Sequence, residues 1–274
     1  MDTVREPAVA GRFYPGSPEK LLRDVQAYTL AAGEKLRAFG CIVPHAGYMY
    51  SGHVAGEVFA RLQLPSRFII LCPNHTGMGA PLSILSEGIW RTPLGEVPVE
   101  TELAQQLKKY FNLLTEDALA HVSEHALEVQ LPFLQALLGD FSFVPITVGT
   151  ARLDVLLGLG EAMGRLLQSR EAGQPGKDVL IIASSDMNHY ESDQVTRIKD
   201  QRALDRIRAL DPAGLHEVVT QHHVSMCGFG PAISMIQAAK MLGATRGEII
   251  RYATSGDING QRDQVVGYAG VVVV

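Results

Sequence analysis

Imidazole and thiolate ligate transition metals, and four such side chains stand in short loops close to hydrophobic runs. His45 lies in Pro44-His45-Ala46-Gly47-Tyr48 and His75 in Pro73-Asn74-His75-Thr76-Gly77. His189 closes Ser185-Asp186-Met187-Asn188-His189, and Cys227 sits in Met226-Cys227-Gly228-Phe229-Gly230. In an open α/β sheet the carboxyl ends of the strands share one edge, where ligands bind. Side chains that follow separate strands can therefore converge there, and these four together suggest a metal centre.

Two further pairs carry acid–base character. Asp186 and His189 are spaced to share the mouth of one strand. Asp186 would fix the tautomer of a metal-bound imidazole, as outer carboxylates do. His189 would move protons, because its unperturbed pKa lies near neutrality. The plainer alternative for Asp186 is an N-cap of the next turn. His125 and Glu128 are three apart in a segment that reads as helix, which puts both on one face. That face either looks into the pocket, with His125 binding or protonating a substrate, or carries a helix-start cap and a surface charge. Tyr48 and Tyr190 flank site residues and are candidates for the pocket wall or for core packing. Cys41 and Cys72 fall inside apolar strands and read as core. His53, His121, His216, His222 and His223 have no comparable context, and the last two read as an exposed helix end.

The elements that must position these residues are legible as alternating patterns. Residues 41–43, 68–72, 143–148 and 179–183 are short apolar runs rich in β-branched residues, suited to strands buried on both faces. Ser17-Pro18 opens a helix as N-cap and first helical residue, with Leu21, Leu22, Val25 and Tyr28 along it. Asp211-Pro212 repeats the device before Leu215, Val218 and Val219. Residues 153–167 and 233–242 are long and apolar enough to cover a sheet, and 249–252 and 267–274 read as two late strands joined by a polar turn-rich stretch. This alternation predicts an α/β fold with a mostly parallel or mixed sheet flanked by helices. Residues 170–178 have linker composition but read as a surface loop, so one domain over 1–274 is expected.

Composition narrows the function classes. A hydrophobic fraction of 46% in 274 residues builds a sizeable core. A net charge of −5 without any basic run argues against nucleic acid or anionic membranes as partners. The apolar runs are strand-length, and the acid-containing N-terminal residues do not read as a signal peptide. Three separated cysteines form no disulfide framework, which fits a cytoplasmic protein.

Several motifs occur in a fixed order: Arg12-Phe13-Tyr14-Pro15, Pro44-His45-Ala46-Gly47-Tyr48, Pro73-Asn74-His75, Arg91-Thr92-Pro93-Leu94-Gly95, Glu124-His125-Ala126-Leu127-Glu128, Ser184-Ser185-Asp186-Met187-Asn188-His189 and Cys227-Gly228. Together they resemble the Memo family nearly end to end. That family is similar in fold to class III extradiol dioxygenases, which use non-haem iron. The resemblance implies one α/β domain with a metal pocket at a sheet edge, His45 and His75 as metal histidines and Cys227 as third ligand. A thiolate where the dioxygenases place a carboxylate is softer, and it weakens the expectation of aromatic ring cleavage.

Two classes of function follow. In the first, a metal-dependent oxidoreductase, with iron or copper favoured over zinc, acts on a small substrate while His125 or His189 moves protons. In the second, the pocket is a binding module for a peptide or partner, a role the resemblance also implies. A zinc hydrolase is the weaker third reading.

Overall fold

A computed structural model describes residues 4–30, 33–169 and 178–274. The expected surface loop at 170–178 lies outside the described residues except for Asp178. Among the described residues the main sheet has nine strands: β1 (Gly40–Val43), β2 (Arg67–Pro73), β3 (Leu82–Ile84), β4 (Thr115–Glu116), β5 (Ser142–Val148), β6 (Val179–Ser184), β7 (His189–Glu191), β8 (Gly247–Thr254) and β9 (Val265–Val273). Its centre runs β1-β6-β2-β5, all parallel. β3 joins β5 antiparallel, while β9 pairs antiparallel with β1, β7 and β8. The sheet is therefore mixed, with a parallel heart formed by the four apolar runs at 41–43, 68–72, 143–148 and 179–183.

Side chains of a strand alternate between faces, and the two faces collect different helices. Ile42, Ile69, Leu71, Ile146, Ile181 and Ala183 pack with the helices Leu153–Gln168, Asp193–Arg208, Pro212–Gln221 and Phe229–Met241. Cys41, Val43, Phe68, Ile70, Cys72 and Ile182 pack with Pro18–Tyr28, Tyr48–Arg61 and Leu131–Leu138. Cys41 and Cys72 are thus core residues. Leu21 and Val25, one turn apart, are fully buried, and each contributes about 1.5–3 kcal/mol by leaving water.

The caps act as their residue types dictate. Ser17 accepts from the Lys20 N–H and Asp211 from the Gly214 N–H, with Pro18 and Pro212 as first helical residues. The polar stretch after β8 holds a short helix, Ser255–Asn259, closed by a reciprocal Thr254–Asp257 capping box. A separate three-stranded sheet, Val4–Arg5 with Ile89–Thr92 and Gly95–Pro98, packs the N-terminal segment onto the body. No helix among the described residues is long and apolar enough to cross a membrane.

The helical reading of 125–128 is corrected. His125 lies in an irregular segment, and only Glu128–Gln130 forms a 3-10 turn. A helix would need the His121 and Glu124 carbonyls for its own N–H groups, but the Arg5 guanidinium takes both, at 3.0 and 2.7 Å. His125 and Glu128 consequently part company, one lining a cleft and the other buried behind it.

Candidate metal centre

Three loops leave the parallel strands at one edge. His45 comes two residues after β1, His75 two after β2, and Asp186 two after β6. Because β6 lies between β1 and β2, Asp186 stands beside both histidines. The β1–β6 register pairs Val43 with Ser184, so His45 and Asp186 come level. The Asp186 carboxylate accepts the His45 N–H at 2.8 Å, which makes it a clamp on the β1 loop rather than a cap of its own turn.

The 121–130 segment adds His125. The ligating atoms of His45, His75 and His125 all lie within 4.8 Å of one another. The rings of His75 and His125 stack at 4.7 Å, and His45 meets each of them nearly edge-on. Cys227, just before the helix Phe229–Met241, places its Sγ 3.2 Å from His45 Nε2. Gly228 permits that approach: a Cβ there would meet the Ser184 carbonyl oxygen at 2.3 Å.

The hydrogen bonds fix the tautomers. The Ser184 hydroxyl gives its single proton to the Ala126 carbonyl and accepts from Gln130 Nε2. Its contact with His45 Nδ1 at 2.9 Å therefore requires Nδ1–H as donor, leaving a lone pair on Nε2 beside Cys227. His75 Nδ1 faces a Glu124 carboxylate oxygen at 2.9 Å, and His189 Nδ1 faces the Ser225 carbonyl at 2.9 Å. Both acceptors demand Nδ1–H, which in the neutral ring leaves the lone pair on Nε2. Neutral imidazoles with an outer acceptor on one nitrogen and a lone pair on the other are the form that binds a metal.

Electrostatics follow burial. Burial, reinforced by the neighbouring histidines, holds His45 well below the usual imidazole range. Burial also lowers His125, with Glu124 partly opposing it. At His75 burial pulls downward, but the hydrogen bond and charge of Glu124 outweigh it, so the group rises. Burial pushes Asp186 up to about 6 and raises the Cys227 thiol, which Asp186 raises further.

These residues line one cleft of about 650 Å³ with Phe13, His189, Tyr190 and Tyr268. Sequence reasoning placed His45, His75, His125, Asp186, His189 and Cys227 at a site, and the structure brings all six to this cleft. His125, read from the sequence as a residue that binds or protonates a substrate, stands within the imidazole cluster. Tyr190 lines the rim at 72% exposure, whereas Tyr48 is buried and donates to the Val129 carbonyl. His222 and His223 are exposed after the helix Pro212–Gln221.

The main omission was Glu124. It is fully buried and accepts from the His75 N–H at 2.6 Å as well as facing the ring. A carboxylate next to His125 in an apolar stretch was the available signal. Ser184 and Gln130 gave none, because their partners lie 54 to 139 residues away.

The donor set fits a transition metal with nitrogen and sulfur ligands better than an oxygen-seeking magnesium or calcium ion. Fold and cleft together define an α/β protein with a histidine-rich candidate metal centre at the carboxyl edge of its sheet. The chain belongs to the Memo-like protein family, whose profile matches residues 5–272. MEMO1 family proteins of Methanopyrus kandleri and Ignicoccus hospitalis are 40% and 43% identical to it, each alignment covering 98% of both chains. That of Methanothermobacter thermautotrophicus is 39% identical over 97% of this chain and 99% of its own. The crystal structure of an uncharacterized Escherichia coli K12 protein shares the fold, with a TM-score of 0.54 and 13% identity over 83% of this chain and 98% of that one.

Proposed function

We propose that this protein is a metal-dependent oxidoreductase acting on a small substrate in the 650 Å³ cleft. His45 and His75 hold the ion, with Cys227 and His125 as the flanking donors. The observation that carries the reading is the set of imidazoles gathered within 4.8 Å, two of them with Nδ1 tied to outer acceptors. Imidazole with thiolate favours iron or copper, and the bound ion would supply Lewis acidity, redox capacity and coordination positions for the reactants.

The chain's own residues have separable tasks. Glu124 and Ser184 hold two rings in the ligating tautomer. Asp186 fixes the β1 loop and borders the cleft. His189, with Nδ1–H committed to Ser225, offers Nε2 for taking up or giving a proton. Phe13, Tyr190 and Tyr268 give the cleft an aromatic wall suited to a planar organic substrate. Free cysteines at 41, 72 and 227 fit a reducing compartment such as the cytoplasm.

The test is metal identification after anaerobic purification, followed by oxygen-consumption assays with phenols and catechols. His189→Gln keeps hydrogen bonding but removes the nitrogen that could take up or give a proton. It is expected to retain metal while turnover falls about a hundredfold or more. Equal rates in the two proteins would remove His189 from the chemistry. Absence of uptake by metal-loaded wild type across the panel would favour a binding role for the cleft.

A further inference from the structure

Residues 121–123, just before the segment that carries Glu124 and His125, help to line a second cavity of about 660 Å³. The volume is that of a small-molecule site, and nothing in the metal reading uses it. Its walls are largely apolar, with Val4, Pro7, Leu85, Ile89, Trp90 and Val122 among them. Such a lining rewards a ligand with a bulky hydrocarbon body.

Its charge is one-sided. Glu6, Glu87 and Glu116 belong to the lining, against a single basic residue, Arg5. The Arg5 guanidinium is spent on the buried Glu128 carboxylate and on two main-chain carbonyls, so it has no charge left for a ligand. Glu6 pairs with Arg91, which Glu96 shares, and Glu116 pairs with Lys108. Glu87 is exposed and has no ion-pair partner among the described residues. His121 adds no positive charge, because burial and then Arg5 hold its imidazole down to about 4. An apolar chamber with a surplus of carboxylates complements a cation and repels an anion.

We propose that this cavity binds a small organic cation, an ammonium carried on a compact apolar body. The hydrocarbon would fill the space against Leu85, Ile89 and Trp90, with the ammonium directed to Glu87, since Glu116 already accepts from Lys108 and Ser86. This site is separate from the metal cleft and stands whether or not the oxidoreductase reading does.

Trp90 is the only tryptophan of the chain, so its fluorescence reports this cavity selectively. The holoprotein is titrated with 1-adamantylammonium, 1-adamantanol and 1-adamantanecarboxylate, which share one body and differ in charge. The expected result is a saturable change with the ammonium, about tenfold tighter than with the alcohol, and no saturation with the carboxylate. Glu87→Gln should narrow the ammonium's advantage about threefold, in line with an exposed charge contact. Val122→Arg, which sets a cation at the half-exposed rim, should weaken ammonium binding about tenfold. Equal binding of ammonium and alcohol, tighter binding of the carboxylate, or no saturable change with any probe would overturn the proposal. So would unaltered ammonium binding in both variants, since the probe would then be bound elsewhere.

Discussion

Two polar clusters, one buried around Glu128 and one opening to the cleft at His75, draw on the same stretch, residues 121–130, and are built on opposite plans. Around Glu128 every acceptor is used. Arg5 pairs with its carboxylate, the Ala8 and Val9 N–H groups donate at 2.8 and 3.1 Å, and the Tyr14 hydroxyl donates at 2.6 Å. The Arg5 guanidinium also lies 4.2 Å from the Trp90 ring centre. Around His45, His75 and His125 the outer nitrogens of two rings are satisfied and the inner lone pairs are left to share one space. The closed cluster holds the N-terminal segment to the body. The open cluster presents donors that could hold a metal ion. A polar group with all its hydrogen bonds made reads as structure, and one with a fixed tautomer and a spare lone pair reads as chemistry.

The largest effect expected from breaking this contrast is on the closed side. Arg5→Ala leaves Glu128 charged and buried, and should cost about 3–5 kcal/mol in urea unfolding. A loss below about 1 kcal/mol, the value of an exposed pair, would show that the cluster does not anchor the segment.

Glu124→Gln probes the seam between the two clusters. It keeps the side chain's size but removes the charge facing His75, and should weaken metal binding about 10- to 100-fold in chelator competition. Unchanged affinity would reduce Glu124 to a packing group.

A smaller effect is expected behind His189. Asp200 is buried, accepts from the Asn188 N–H and the Tyr252 hydroxyl, and burial pushes it up to about 6. The folded state thus holds the proton more tightly than the unfolded chain. Its contribution is complete below about pH 4 and is lost as the pH rises through about 6. Unfolding free energy measured from pH 4 to pH 7 should include this fall, on the order of 1–2 kcal/mol. Asp200→Asn should flatten it. An identical slope in the variant would place the titration elsewhere.

The sequence made the open cluster more legible than the closed one. His45, His75 and Asp186 each follow a buried apolar strand, and parallel strands bring their ends together without further information. Ser17 and Asp211 announced their helices because capping is local. The path of 121–128 was not readable in this way, since it depends on a guanidinium at position 5 that captures two carbonyls. For the same reason Glu128, left without an assigned role by its spacing alone, proves to be the anchor of the N-terminal segment around Arg5 and Ala8. Long-range side-chain bonds to the main chain leave no periodic trace.

The central claim is that the open cluster holds a transition-metal ion. The most direct measurement is elemental analysis of anaerobically purified wild type and of a His45→Ala/His75→Ala double variant, with circular dichroism confirming that both are folded. The account predicts about one iron or copper ion per wild-type chain and none retained by the folded variant. Metal content at the wild-type level in the folded double variant would contradict it.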